Sequence, residues 1–81
     1  MKAKEMFEEL GYKQVLSEDY IKYVSFFSRI AFDLTEEGIV IDCSFAIVGA
    51  ITMDDLKAIN KQCEELGWFV EEKNNEVKQS N

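Results

Sequence analysis

Two nearly identical pentapeptides, Glu8-Glu9-Leu10-Gly11-Tyr12 and Glu64-Glu65-Leu66-Gly67-Trp68, each close an amphipathic stretch. Their chemistry is that of a helix stop. Glycine lacks the Cβ that clashes in the left-handed conformation, so it takes the position just past the helix, and the next aromatic locks against the last turn. Ahead of the first, Ala3, Met6, Phe7 and Leu10 recur at i, i+3, i+4 and i+7, which predicts a helix over 2–10. Ahead of the second, Met53, Leu56, Ile59, Cys63 and Leu66 form one stripe, with Thr52 as N-cap and Asp55 completing a capping-box pair. Helix-end chemistry explains the similarity of the two pentapeptides without any duplication.

The chain between the two helices has strand composition. Residues 12–16 read as a first strand and Ser17-Glu18-Asp19 as a turn. Tyr20 to Leu34 is rich in aromatic and branched residues, with a reversal expected at 25–28; a single long bent strand is the alternative. Thr35-Glu36-Glu37-Gly38 reads as a turn with Gly38 at a positive φ. The next strand, 39–47, alternates cleanly and points Ile39, Ile41, Cys43, Phe45 and Ile47 at the core. The expected fold is α+β: a three- to four-stranded antiparallel meander with an N-terminal and a C-terminal helix on one face. It fills a single domain over 1–70, followed by a polar tail over 71–81. With 81 residues, the core leaves a thin surplus over chain entropy, so oligomerisation is a natural supplement.

Charge and missing residue types narrow the chemistry. A net charge of −7 repels phosphate backbones, so direct nucleic-acid binding is not expected. The chain has no histidine, which removes imidazole as base or ligand. Two cysteines build neither a disulfide scaffold nor a four-thiolate zinc site. No signal peptide is visible, and the apolar run from Ile39 to Met53 is broken by Asp42 and too short to span a bilayer. A cytoplasmic protein with Cys43 and Cys63 as buried thiols is expected. Adjacent acids such as Asp54-Asp55 diverge on a helix, and no phosphate loop or activated nucleophile is present. An enzyme, a cofactor or a metal is therefore not expected. Asp33 and Asp42 flank the 35–38 turn and are candidate cross-strand neighbours on the outward face, where parity offers Arg29 as a partner for Asp33.

The segment from Tyr20 to Phe27 carries large apolar residues on both faces. Tyr20, Lys22, Val24 and Phe26 share one; Ile21, Tyr23, Ser25 and Phe27 share the other. Two helices cover only one face, so some of these aromatics should form a contact surface. A bend or bulge that turns both phenylalanines inward would satisfy the same pattern, and so would the tail folding over the open face or a homodimer through it. The expected partner-binding residues are Tyr20, Tyr23, Phe26 and Phe27, with Asp33, Glu36, Glu37 and Asp42 as acidic contacts.

Met6-Phe7-Glu8-Glu9-Leu10-Gly11-Tyr12, Asp19-Tyr20-Ile21-Lys22-Tyr23, Ile30-Ala31-Phe32-Asp33, and Ile51 to Asn60 continuing through Glu64-Glu65-Leu66-Gly67-Trp68 occur in an order that resembles small uncharacterised proteins encoded in phages and prophages of Gram-positive bacteria. The likeness covers most of residues 4–68, and its motifs are caps and stripes that carry no active site. The resemblance implies a context in which small acidic accessory proteins bind a host protein, anti-CRISPR proteins being one such class. An acidic domain can imitate a nucleic-acid backbone and occupy a basic groove. The expected function is stoichiometric inhibition of a host or defence protein; the alternative is a self-associating module with no external target.

Overall fold

A computed structural model of the chain describes residues 1–43 and 51–69. Its elements are α1 (Ala3–Glu9), β1 (Lys13–Leu16), β2 (Tyr20–Val24), β3 (Arg29–Asp33), β4 (Gly38–Asp42) and α2 (Met53–Glu65). The four strands form an antiparallel meander in the order β1-β2-β3-β4. The arrangement is α+β. The 25–28 segment is a hairpin turn, so Tyr20 to Asp33 folds as two strands, with Tyr20 opposite Asp33 and Val24 opposite Arg29. The polar tail over 71–81 and the second half of the expected 39–47 strand, with Phe45 and Ile47, lie outside the described residues.

Both helix stops form as their sequence dictates. Gly11 and Gly67 adopt positive φ (96° and 77°). The amides of Tyr12 and Trp68 reach back five residues, to the carbonyls of Phe7 and Cys63, each at 3.0 Å. These are the bonds that satisfy otherwise orphaned carbonyls at a helix end. The lock also delivers the aromatics to the core: Tyr12 packs edge-on against Phe7 at 5.4 Å, and Trp68 lies 6.2 Å from Phe32.

One buried cluster joins both helices to the sheet: Phe7, Tyr12, Tyr23, Ile30, Phe32, Ala58, Ile59 and Cys63. Phe7 stacks on Tyr23 with centroids 3.8 Å apart and planes 13° from parallel. Burying a ring of this size contributes about 1.5–3 kcal/mol over leaving it in water. Cys63 is in the core as a free thiol, and burial pushes its pKa up; Cys43 is free and half-buried.

The face that α2 buries keeps Ile59 and Cys63 of the expected stripe, with Leu66 packed beside them, but departs from it in the first turns. Asp55, Ala58, Ile59, Gln62 and Cys63 are buried, whereas Met53 and Leu56 are exposed. The helix is rotated toward its polar side because the buried tyrosines need partners. The Tyr12 hydroxyl donates to Asp55 Oδ1 at 3.1 Å, and the Tyr23 hydroxyl donates to Gln62 Oε1. A stranded buried hydroxyl costs about 1–3 kcal/mol, comparable with burying one more aliphatic side chain, so the two polar contacts outweigh Met53 and Leu56. Leu10 is likewise left exposed at the end of α1.

Two further expectations are corrected at the β3–β4 turn. The positive φ falls on Glu37 (57°), not on Gly38, which is already the first residue of β4. Asp33 and Asp42 are not neighbours and Arg29 does not serve Asp33: the register pairs Asp33 with Gly38 and Arg29 with Asp42, and the Arg29–Asp42 ion pair spans 4.0 Å. Ile39 and Ile41 do face the core side, opposite Phe32 and Ile30, but remain 39% and 44% exposed because β4 is the last strand among the described residues and lies at the margin of the helix layer.

Candidate interaction surface

The β2–β3 turn carries the most exposed aromatic side chains of the described residues. Phe26 is 85% and Phe27 53% exposed, and their rings meet edge to face at 4.9 Å. Neither glycine nor asparagine is available to make this turn. Ser25 makes it instead, its Oγ accepting from the amides of Phe27 (3.2 Å) and Ser28 (3.0 Å). The Ser25 amide donates to the Ser28 carbonyl at 2.9 Å. With the serine hydroxyl taking the place of a backbone acceptor, both phenylalanines stand on the outer side of the loop.

The turn is anchored to the core. Buried Ser28 shares a 2.8 Å hydrogen bond with the Tyr12 hydroxyl, which continues to Asp55. Asp55 closes the start of α2: its Oδ2 accepts from the Thr52 amide and its own amide donates to Thr52 Oγ1, both at 3.0 Å. A chain of polar contacts thus runs from the aromatic tip through Tyr12 to the first turn of α2. Burial is the main reason the Tyr12 phenol has a raised pKa; Ser28 works against it and Asp55 adds to it. Tyr23 is also raised, first by burial, with its hydroxyl accepting from Gln14 Nε2 at 3.0 Å.

The eight residues singled out from the sequence do not form one patch. Tyr23 is fully buried beneath Phe7, so its ring is unavailable to a partner in this protomer. Strand parity put Tyr23 on the same face as Ile21, and the helices cover that face. Phe26 and Phe27 are at one end of the sheet. Asp42 lies on β4 toward that same end, engaged by Arg29. Tyr20 is half-buried on the outer face with Lys22 Nζ 5.2 Å above its ring. Asp33, Glu36 and Glu37 occupy the opposite end, four residue steps or about 14 Å along the strands.

That second end is acidic by topology. The turns after β1 and β3 emerge side by side, tied by the Leu34 amide donating to the Asp19 carbonyl at 2.8 Å, and bring together Glu18, Asp19, Asp33, Glu36 and Glu37. Asp33 also builds the turn. Its Oδ1 accepts from the Thr35 hydroxyl (2.7 Å) and the amides of Thr35 (2.9 Å) and Glu36 (3.1 Å). The Thr35 hydroxyl bond, followed by the two amides, lowers its pKa below the ordinary aspartate value.

The contact chain through Ser28, Tyr12 and Asp55 was not foreseen from sequence. Its trace is there in the polar Asp55 and Gln62 seven residues apart, flanking Ala58 and Ile59 on one helical face. Among the described residues no three Cys, Asp or Glu side chains are grouped to hold a metal ion, and no helix is long and apolar enough to cross a membrane. A scan against protein-family models and searches of curated proteins and of solved structures found no match to this chain.

Proposed function

We propose that this chain is a stoichiometric binding protein of phage type that inhibits a host or defence protein which handles nucleic acid, acting by occupation and not by catalysis. The observation that carries the reading is the Phe26–Phe27 pair: two rings packed edge to face and held out on a turn that hydrogen bonds fix to the core. Exposed aromatics cost solubility in a lone protomer, and a preorganised aromatic pair loses little side-chain entropy when it enters a partner's pocket. The acidic end supplies a second contact suited to a basic groove, with Glu36 and Glu37 as the carboxylates whose charge does not build the turn. The net charge of −7 supports a partner that is itself basic. The resemblance of the motif order to small phage proteins is the support for the cellular setting, a bacterial cytoplasm.

The test is a pull-down from a bacterial lysate with the tagged full chain, read by mass spectrometry and followed by measured inhibition of the recovered protein. The expected result is one nucleic-acid-handling partner per chain, inhibited in proportion to its occupancy and lost with the Phe26→Ser/Phe27→Ser pair. Glu36→Lys/Glu37→Lys should slow association and weaken its salt dependence. Inhibition unchanged by both double variants would refute the proposed surface.

A further inference from the structure

Among the described residues β4 is the last strand of the sheet, and it exposes three consecutive aliphatic residues. Ile39, Val40 and Ile41 are 39%, 63% and 44% accessible. Ile39 and Ile41 sit on the helix side of the sheet, and Val40, opposite Ala31, on the other. Apolar exposure on both sides of one strand is not the mark of a groove or of a missing helix, either of which would cover one side. It calls for a lateral neighbour that continues both layers, which is another strand. We infer that the neighbour is β4 of a second copy, paired antiparallel about a two-fold axis at Val40.

The choice of occupant follows from the strand itself. Gly38-Ile39-Val40-Ile41-Asp42 is nearly symmetric about its centre. Two-fold antiparallel pairing sets Val40 against Val40, Ile39 against Ile41, and Asp42 against Gly38, so no two like charges meet. A parallel pairing in register would stack Asp42 on Asp42. Pairing β4 with β1 of another copy would be head-to-tail and would not close, and β1 carries exposed Lys13, a charge that guards an edge. The result is one eight-stranded sheet with all four helices on the same side and the aromatic tips displayed twice. A five-residue edge buries less than the ~1,200 Å² typical of stable interfaces, so association is concentration-dependent. With −7 on each copy, it tightens as salt screens the repulsion.

Sedimentation of the full chain from about 10 µM to about 1 mM tests the pairing. The expected result is a monomer–dimer equilibrium that shifts toward dimer with added salt. Val40→Lys and Val40→Glu place like charges on the axis and should each sediment as a monomer with unchanged far-ultraviolet circular dichroism, Val40 being an exposed outer-face residue. An equimolar mixture of the two should restore the dimer. A wild-type monomer across the whole series, a dimer that survives Val40→Lys, or a mixture that stays monomeric would each overturn the inference. None of these readouts involves the target of the aromatic tip, so the two proposals stand or fall separately.

Discussion

Replacing Asp55 with alanine should be far more damaging than its position in a solvent-facing first turn suggests. Asp55 is 8% exposed, and its two carboxylate oxygens serve two different elements. Oδ2 holds the Thr52 amide and Oδ1 the Tyr12 hydroxyl. Loss of the cap contact costs about 1 kcal/mol. A buried hydrogen bond to a charged acceptor is worth about 1.5–3 kcal/mol, reduced here because Tyr12 keeps Ser28. The sum is about 2–3 kcal/mol, or a fall in Tm of roughly 10–20 °C for a domain of this size. Thermal and urea unfolding followed by circular dichroism measure it directly. Exposed Asp54→Ala, one residue earlier, should cost less than about 1 kcal/mol through the helix dipole alone. A double-mutant cycle with Tyr12→Phe should show a coupling on the order of 1 kcal/mol. If Asp55→Ala falls within about 0.5 kcal/mol of Asp54→Ala, the polar link between α2 and the turn is not energetically significant and the account of the helix rotation is wrong.

Two further outcomes follow from titration. Tyr12 and Tyr23 have pKa values raised above 10.0 mainly by burial, so the unfolded chain ionises first; their stabilising contribution is complete below about pH 10 and is lost as pH rises through the folded values. Alkaline unfolding monitored by tyrosinate absorbance should therefore be cooperative, and Tyr23→Phe should reduce the steepness of that loss. Asp33 is held below its ordinary value by Thr35 and two amides, so its contribution is present at neutral pH and disappears as pH falls through that lowered value. Carbon-detected NMR titration should show Asp33 ionising anomalously early as pH rises from acid, and Thr35→Val should move its midpoint back up.

The division between what could be read from the chain and what could not follows the range of the interactions. Gly11 and Gly67 announce their helix ends because a left-handed residue and an aromatic one step later are local requirements. The strand faces were equally legible, since alternation is a property of the extended backbone itself: Ile30 and Phe32 are buried and Ala31 between them is not. The Phe26–Phe27 turn was legible only in outline. Parity distributes the two rings to opposite faces, but a turn has no parity, and the Ser25 hydroxyl set both outward.

The amino-acid sequence by itself determined the two helix stops and which residues of each strand share a face, because each depends on neighbours within a few positions. Tertiary structure alone decided that Tyr23 would be sealed beneath Phe7 and that α2 would turn Asp55 and Gln62 inward in place of Met53 and Leu56. It also decided that Arg29 would meet Asp42 and not Asp33. These outcomes depend on partners more than ten residues away in sequence. Only closing the sheet against the helices sets the polar needs of buried hydroxyls against the apolar area that could have been buried in their place.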